Sequence, residues 1–409
     1  MKYRNVTPRL LTAVSVVALA LSLAALSLAA LCVAQRIPVA DTLVYRAEGA
    51  AVANGIELYG LTVTDWRLPA TCPPFAAILF VPTTWLPVPA LKVVFVVGNA
   101  ALLALLVRLS CRFAGLPART PLVIAAIAAG LWLEPVFQTL LFGQINLALV
   151  CLVLWDLSRD EEAIGKGFAL GVAAGVKLTP AVFIVHLLIT GRVRAGLTAL
   201  ASFTATVLLG ALVLPHASAE FWTRRIFETG RAGKAWATEN QSLQGLFARV
   251  LHTPDPGTVW LLAAAVTGVA GLWIARRVPE RWGVLTVAYT ALLVSPISWS
   301  HHWVWCVPLL AVLIAEGRTR TAAAVAAVFM ARTLWLVPHH GEPVLRLPWW
   351  QQSLASPYPL LGIALLAYAG GRTASALTLP GPRGEYLRTD DLSTPPEVSA
   401  GRPEVDCRP

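Results

Sequence analysis

The sequence predicts an all-α polytopic membrane protein. Of its 409 residues, 57% are hydrophobic and only 13% are charged, so the chain cannot cover itself with an ordinary polar surface. The lysines and arginines lie in short clusters between apolar runs, which is how positive-inside topology signals are distributed. The formal net charge of +10 therefore indicates membrane topology, and nucleic-acid binding is not expected.

The first apolar run, residues 10–34, is about 25 residues long and uncharged, which is enough to cross a bilayer. It follows Lys2, Arg4 and Arg9 and is longer than the core of a signal peptide. We therefore expect an uncleaved first span and an amino terminus in the cytoplasm.

Apolar runs alternate with basic turns along the rest of the chain and predict about 12 transmembrane helices, with both termini cytoplasmic. The runs are 10–34, 89–109, 121–133, 145–157, 167–177, 180–190, 197–214, 258–275, 283–294, 303–315, 321–337 and 357–370. Residues 74–87 are too short and too proline-bounded to cross, and they predict an interfacial or re-entrant helix.

Long polar stretches between the runs predict exterior loops at about 35–75, 215–257 and 338–355. Residues 1–371 are expected to form a single transmembrane domain. Residues 372–409 are rich in proline, glycine and charge, and they predict a disordered cytoplasmic tail.

Two of the runs, 167–177 and 180–190, are too short to cross about 30 Å of hydrocarbon. They predict a hairpin whose tip, residues 177–180, lies inside the protein below the outer surface. Non-helical backbone at that depth is tolerated only where it lines a cavity or is buried in protein. A lysine at such a tip, Lys177, must snorkel, pair with an acid or bind an anion, and we expect anion binding.

Polar residues that are costly in a membrane gather on the predicted exterior side, which makes them candidates for function. They are Asp41, Asp65, Glu134, Gln144, Asn146, Lys177, Glu239, Asn240, Gln241, Ser242, His301 and His302. For several of these residues a purely structural role is also possible. Asp41 is also typical of a helix cap, the two amides can join neighbouring helices, and the histidines can belong to an interfacial aromatic belt. Neither a metal site nor a disulfide framework is indicated, because the six cysteines show no paired spacing.

Six motifs resemble membrane glycosyltransferases of the GT-C type, specifically glycosyltransferase family 87. They are DTLVYR at 41–46, PPFAAILF at 73–80, FGQIN at 142–146, GVKLTP at 175–180, ENQSLQG at 239–245 and SPISWSHHW at 295–303. They occur in the same order as in the family. The family includes actinobacterial polyprenol-phosphate-mannose-dependent α-1,2-mannosyltransferases of phosphatidylinositol mannoside and lipomannan assembly.

The resemblance implies a GT-C fold with extended exterior loops and interfacial helices. It also implies an inverting mannosyltransferase at the outer face of the plasma membrane. Polyprenyl-phosphate-mannose would be the donor, a mannosylated phosphatidylinositol glycolipid the acceptor, and membrane lipids the remaining partners. The family's essential acid in the first exterior loop corresponds here to Asp41. Many GT-C enzymes have paired acids there, whereas Asp41 is followed by Thr42, so Glu48, Glu57 or Asp65 would have to supply a second one.

The chemistry of this transfer needs a base and a cation more than it needs an acid, because the departing phosphate is already a good leaving group. Asp41 is the first choice for the base, and His302 or His301 is the second. Lys177 is expected to bind the donor phosphate, aided by Arg46 or by one of Arg224, Arg225, Arg231 and Lys234. A single phosphate makes a metal less necessary, so no cofactor is expected.

Other side chains of the motifs are expected to contact substrate: Tyr45, Gln144, Asn146, Glu239, Asn240, Gln241, Ser242 and Trp299. Trp66, Trp222 and Trp236 could stack on sugar faces.

Two other functions stay open from the sequence. One is a transferase of the same fold that uses another prenyl-phosphate sugar, such as arabinofuranose. The other is a transporter or flippase for lipid-linked sugars, which predicts internal repeats and no long exterior loops. The long loops at 36–75 and 215–257 favour an enzyme.

Overall fold

A computed structural model describes residues 11–22, 39–64, 67–339 and 341–378 of the chain. Within these residues most of the backbone is helical. The strands in this part of the chain form one antiparallel ribbon, in which β1 (Thr62–Val63) pairs with β2 (Leu68–Pro69). A single bridge also joins Asn240 to Trp299. The all-α class expected from the sequence is therefore confirmed.

The helices follow one another with short connections. In the first half they are α1 (Leu11–Ser22), α2 (Ala40–Asn54), α3 (Pro74–Leu79), α4 (Val88–Ala114), α5 (Thr120–Gly130), α6 (Glu134–Phe142), α7 (Asn146–Leu157), α8 (Phe168–Val176) and α9 (Val182–Ile189). In the second half they are α10 (Val193–Val213), α11 (Pro215–Thr223), α12 (Leu243–Val250), α13 (Gly257–Ala275), α14 (Glu280–Val294), α15 (Cys306–Ala315), α16 (Thr319–Met330), α17 (Trp349–Ala355) and α18 (Pro357–Thr378). Short 3-10 helices include Val81–Trp85, Thr179–Ala181 and Ser300–Trp305.

Three of the described helices, α4, α10 and α13, are long and apolar enough to cross a membrane, and the count rises to five if two bent pairs are included. The pairs are α5 with α6, bent by 74°, and α17 with α18, bent by 77°. Large apolar side chains on α13 are exposed, for example Val266 at 69% and Val269 at 72%, as expected for helices that face lipid. The protein is therefore a membrane protein, but the expected number of about 12 crossings is not confirmed.

Three helix boundaries differ from the sequence prediction. A separate helix, α6, begins at Glu134 with Pro135 in its first turn, where the sequence analysis predicted only the end of a span. In the run at 321–337 the α-helix ends at Met330, because Arg332 adopts a left-handed φ of 52°, and a short 3-10 helix follows at Thr333–Trp335. Helix α18 continues to Thr378, so residues 372–378 are helical where a disordered tail was expected.

Ends of helices that the sequence assigns to one side of the membrane contact each other. Arg192 Nη1 lies 2.6 Å from Glu280 Oε1 and also pairs with Glu161, which joins the α7–α8, α9–α10 and α13–α14 turns. Glu316 accepts a hydrogen bond from Arg372 at 2.8 Å on the same face. The motif residues described below contact each other on the opposite face. The alternation of basic and motif-bearing turns thus corresponds to two separate faces of the fold.

The hairpin predicted at 167–190 is present. Helix α8 packs against α10 through glycines four residues apart: Cβ atoms at Gly171 and Gly175 would lie 2.3 Å from Ala199 O and 2.1 Å from Thr206 Oγ1. Small residues allow this backbone contact, as in other membrane helix pairs. The helix ends at Val176, and Lys177 is extended with φ −149° and ψ 127°. Lys177 is therefore held at a break inside the protein.

Candidate active site

One face of α2 carries the acid of the first motif and docks on the FGQIN segment. Asp41, Tyr45 and Glu48 are spaced at i, i+4 and i+7, which places them on one side of a helix. Tyr45 donates from its hydroxyl to Gln144 Oε1 at 2.9 Å, and the Gln144 side chain also hydrogen-bonds Asp41. Because the Gln144 oxygen already accepts from Tyr45, its amide N–H is left to donate to the Asp41 carboxylate.

The contact between α2 and this segment depends on a glycine. Thr42 donates to the Gly143 carbonyl at 3.1 Å, and Gly143 has a left-handed φ of 67°. A Cβ atom at this position would lie 2.0 Å from Thr42 Oγ1, so a larger residue would push α2 away. The GQ pair of the motif therefore sets the position of Asp41.

Asp41 lies outside the membrane-spanning helices, in a setting that favours its protonated form. Burial raises the pKa of Asp41 from 3.8 to about 6, although the Gln144 hydrogen bond and the positive charge of Lys177 act in the opposite direction. A carboxylate with a raised pKa is a stronger base than a solvated one, and it is still ionised near neutral pH.

Glu48 lies behind the cavity wall on the same side of α2. Its Oε1 accepts from the backbone N–H groups of Thr71 and Cys72 at 3.1 and 3.4 Å, and the Cys72 side chain also interacts with the carboxyl group. Burial raises the pKa of Glu48 to about 7. Of the acids considered as a partner for Asp41, Glu57 is exposed and Asp65 lies outside the described residues. Glu48 positions the 71–72 segment and does not itself line the cavity.

Lys177 reaches the cavity from the hairpin tip and has two neutral partners. Its Nζ donates to Asn146 Oδ1 at 3.1 Å and lies 2.9 Å from His302 Nε2. Asn146 in turn donates to the carbonyl of His301 at 3.0 Å. The FGQIN, GVKLTP and SPISWSHHW motifs therefore meet at the ammonium group of Lys177.

The two histidines, both predicted as candidates for proton transfer, differ in position, and only His302 lines the cavity. They lie in the 3-10 helix Ser300–Trp305, where neighbouring side chains point about 120° apart. His302 lines the cavity, whereas His301 is turned away and packs on Phe142 with ring centroids 5.8 Å apart. His301 contributes its backbone carbonyl, which accepts from Asn146 and Thr139.

These residues line a cavity of about 300 Å³, which lies at the lower end of the range for small-molecule sites. Asp41, Tyr45, Gln144, Lys177, Trp299 and His302, all predicted from the motifs, are in its wall. The far wall comes from residues 225–232, including Arg225, Glu228 and Arg231, which form ion pairs with one another or with Glu220. Lys177 is therefore the one lining cation without a carboxylate partner among the described residues.

A small apolar crevice of about 50 Å³ continues from the cavity behind Lys177 and His302. Side chains of α7, α9 and α14 form its sides, including Val150, Phe183 and Leu292. The cationic group thus lies at the boundary between a polar cavity and an apolar one.

Several residues that were predicted to contact substrate have hydrogen-bond partners within the protein. Asn240, Gln241 and Ser242 are completely buried and bond within the protein. Asn240 donates to Ala235 O and Pro296 O and accepts from the N–H groups of Ser242 and Ser298. Gln241 bridges Thr238 O, Ala355 O and Tyr358 N, and Ser242 donates to Pro296 O. The ENQS segment therefore holds SPISW in place, and none of its four residues lines the cavity.

Other predicted residues also lie outside the cavity. Arg46 donates to the carbonyls of Thr84 and Leu86, because it is one residue past Tyr45 and therefore lies about 100° around α2. Glu134 is buried and accepts from Tyr358 and Trp335. Glu239 is partly buried and does not line the cavity, nor do Arg224, Lys234, Trp222 or Trp236. Trp66 lies outside the described residues.

The cavity also contains residues that the sequence analysis did not name. Thr179 follows Lys177 in the same motif, so its proximity could have been predicted from spacing. Glu228 had no sequence signal, since its position depends on the fold of the 215–257 segment. No group of three or more histidine, cysteine or acidic residues in the described parts of the chain is arranged to hold a metal ion.

The model of glycosyltransferase family 87 matches residues 71–296, which is more than half of the chain. The chain belongs to glycosyltransferase family 87. It is therefore a glycosyltransferase, and the resemblance found in its motifs is confirmed.

Relatives of this glycosyltransferase extend the match along the chain. A polyprenol-phosphate-mannose-dependent alpha-(1-2)-phosphatidylinositol mannoside mannosyltransferase of Mycobacterium tuberculosis (strain ATCC 25618 / H37Rv) is 33% identical over 83% of this chain and 86% of its own. A polyprenol-phosphate-mannose-dependent alpha-(1-2)-phosphatidylinositol pentamannoside mannosyltransferase of M. tuberculosis (strain CDC 1551 / Oshkosh) is 36% identical over 68% and 67%. Among solved structures, ArnT from Cupriavidus metallidurans bound to undecaprenyl phosphate is 14% identical, with a TM-score of 0.38 over 90% of this chain and 77% of that chain.

Proposed function

We propose that this glycosyltransferase is an inverting α-1,2-mannosyltransferase. It moves mannose from polyprenyl-phosphate-mannose to a mannosylated phosphatidylinositol glycolipid on the outer face of the plasma membrane. The names of relatives at 33% and 36% identity support the donor and the class of acceptor. The observation in this molecule that best supports the proposal is a cavity with the partly buried acid Asp41 in one wall and Lys177, without a carboxylate partner, in another.

Lys177 binds the donor phosphate. Its two partners, Asn146 and His302, are neutral, so its positive charge is not compensated before the donor arrives. The apolar crevice behind Lys177 receives the first part of the prenyl chain, while the sugar occupies the polar cavity in front of it. Charge that develops on the departing phosphate is stabilised by a cation already in place, which is the most effective kind of electrostatic catalysis.

Asp41 is the base in this proposal, and His302 is a positioning residue for Lys177. A protonated lysine at 2.9 Å donates to His302 Nε2, so the lone pair of that nitrogen is already used. Asp41 keeps carboxylate lone pairs that the Gln144 amide does not occupy, and it faces the cavity. The structure thereby favours the acid over the histidine as the proton acceptor.

The reaction is a single displacement. The 2-hydroxyl of the acceptor mannose attacks C1 of the donor sugar and passes its proton to the Asp41 carboxylate. The bond between C1 and the phosphate oxygen breaks, and its electron pair leaves with the polyprenyl phosphate bound at Lys177. A β-linked donor then gives an α-linked product, and no covalent sugar–enzyme intermediate is needed.

The cavity faces the cell exterior in this proposal, and both termini are cytoplasmic. The basic turns that contact Glu161, Glu280 and Glu316 lie on the opposite face of the fold. Such turns are retained in the cytoplasm by the positive-inside rule.

A transfer assay with the full-length protein in detergent tests the proposal. Polyprenyl-phosphate-mannose and a phosphatidylinositol mannoside should give a product with one added mannose, whose linkage nuclear magnetic resonance identifies as α-1,2. Polyprenyl-phosphate-arabinofuranose should give no product. Transfer of arabinofuranose but not mannose would establish the alternative transferase and refute the donor assignment.

The variant Lys177→Met tests whether Lys177 binds the donor phosphate. Loss of a charge-assisted hydrogen bond of about 1.5–3 kcal/mol predicts a KM for the donor raised roughly 10- to 100-fold. Lys177→Arg should retain part of the affinity, and Lys92→Met, which removes a partly exposed lysine on α4, should change nothing. An unchanged donor KM in Lys177→Met would show that the phosphate binds elsewhere.

A further inference from the structure

The face opposite the Asp41 cavity contains a second polar cavity, of about 580 Å³, which the transfer reaction does not use. It lies where the turn between α9 and α10 meets the start of α14. Three arginines and two glutamates are in its wall: Arg192, Arg194, Arg276, Glu161 and Glu280.

The amino-terminal end of α10 opens into this cavity. Val193, Arg194 and Ala195, the first three residues of this 21-residue helix, all line it. No side chain caps the end of the helix. The first N–H groups of a helix have no partner inside the helix and carry a partial positive charge, which suits an anion.

A buried histidine provides a second, independent observation. His186 of α9 lines the same cavity and is only 2% exposed, and its Nδ1 has no hydrogen-bond partner among the described residues. A buried polar atom without a partner costs free energy, and such atoms are rare in folded proteins. The cavity wall therefore contains a buried imidazole whose hydrogen-bonding capacity the described residues do not satisfy.

Two of the three arginines in the cavity wall have no carboxylate partner among the described residues and can bind an anion. Arg192 pairs with both acids, through Nη1 to Glu280 at 2.6 Å and through Nη2 to Glu161. Arg194 and Arg276 take part in none of the ion pairs in the described residues. With three arginines and two glutamates the wall carries a formal charge of +1, which one phosphodiester would neutralise.

Apolar surface adjoins the cavity on both sides. Leu197, one turn beyond Val193, is 54% exposed, and Trp273 of α13 is 47% exposed next to the cavity. The Arg277 guanidinium lies 4.0 Å from the centre of the Trp273 ring, an arrangement typical of the level of lipid head groups. The cavity is therefore placed where a phosphate and two hydrocarbon chains can be bound together.

We propose that this cavity binds the phosphodiester head group of an anionic phospholipid. The phosphate contacts Arg194, Arg276 and the first N–H groups of α10 beside the imidazole of His186, and the acyl chains lie along the exposed apolar sides of α10 and α13. The proposal concerns lipid binding and holds whatever sugar the enzyme transfers.

Lipid titrations of the detergent-solubilised full-length protein test the site. Short-chain phosphatidylglycerol, short-chain phosphatidylcholine and inorganic phosphate are added separately, and binding is followed by tryptophan fluorescence and thermal shift. Phosphatidylglycerol should bind at least tenfold more tightly than the other two. The double variant Arg194→Gln/Arg276→Gln should lose at least tenfold in affinity, and Arg320→Gln, at the start of α16 on the same face, should lose none.

Val193→Asp provides a test that does not endanger the fold. Val193 is 50% exposed in the first turn of α10, where an acidic residue stabilises the helix but repels an anion. Its affinity for phosphatidylglycerol should fall by at least tenfold, while the melting temperature without lipid is maintained. Equal binding of phosphatidylcholine, equal binding of inorganic phosphate, or an unchanged affinity in Val193→Asp would each overturn the proposal.

Discussion

Replacing Asp41 by asparagine should inactivate the enzyme and stabilise it at the same time. Asparagine has almost the same size and can still accept from the Gln144 amide, so the fold is preserved. Burial raises the pKa of Asp41 from 3.8 to about 6. At 1.36 kcal/mol per pKa unit, this shift of about two units means that the folded protein carries the charged carboxylate at a cost of about 3 kcal/mol.

The direction of the Asp41 pKa shift determines how the stability of the protein depends on pH. The raised pKa means that the stabilising contribution of Asp41 is complete below pH 3.8, declines as pH rises to about 6 and is lost above that. Asparagine does not titrate. The melting temperature of Asp41→Asn should therefore match that of the wild type near pH 4 and exceed it by a constant margin above pH 6.

Activity should change in the opposite direction. Removal of a general base costs about 10²- to 10⁴-fold in rate, so transfer by Asp41→Asn should fall by that factor at pH 7.5. In the wild type, kcat/KM should fall about tenfold per pH unit below about pH 6, where the carboxylate becomes protonated. Glu57→Gln, which changes an exposed acid just after α2, should alter neither property.

Initial rates across pH 4.5–8.5 and thermal melts at a fixed scan rate measure these two effects. Glu48→Gln should retain the acidic limb near pH 6, which separates the titration of Asp41 from that of Glu48. Undiminished transfer by Asp41→Asn would refute its role as base. If Asp41→Asn were no more stable than the wild type at pH 8, burial would not disfavour the Asp41 carboxylate.

Three further predictions follow from the contacts around the cavity. His302→Gln can still accept from Lys177 and should keep at least tenfold more activity than His302→Phe; equal loss in both would indicate that the histidine exchanges a proton. Tyr45→Phe removes the hydrogen bond to Gln144 and should lower stability by about 1 kcal/mol, as measured by thermal melts. Gly171→Val places a side chain against Ala199 O, 2.3 Å from its Cβ, and should greatly reduce the yield of monodisperse protein, whereas Gly98→Val, which meets no atom within 4 Å, should not.

Composition and local sequence pattern were sufficient to predict the class of the protein and several of its helices. The break at Lys177 was predictable because two apolar runs that short cannot cross a bilayer. The boundaries of α4, α10 and α13 are close to those expected, since long uninterrupted apolar stretches leave few alternatives. The short helices were less predictable, and α6 was missed because a sharp bend interrupts the apolar pattern at Glu134.

Six residues of the cavity wall were predictable from the sequence, but the sequence did not separate them from neighbours that lie outside the cavity. A polar residue in an apolar segment needs a partner, and the sequence does not show whether the protein or a ligand provides it. Asn240 and Gln241 have all their partners inside the protein, whereas Asp41 and Lys177 still face the cavity. His301 and His302 are adjacent in sequence, but the 3-10 helix directs only one of them inward.

By itself, then, the sequence determined the membrane class, the family and the two charged groups, Asp41 and Lys177, on which the proposed chemistry depends. The tertiary structure decided that α2 brings Glu48 behind the cavity wall, that His302 contacts Lys177, and that Arg46 points elsewhere. It also revealed the arginine-lined cavity on the opposite face, whose residues come from three separate turns. The physical reason is that the length of an apolar run and the order of charges are properties of neighbouring residues, which the sequence shows directly. The partner of each polar group is instead set by contacts between distant segments.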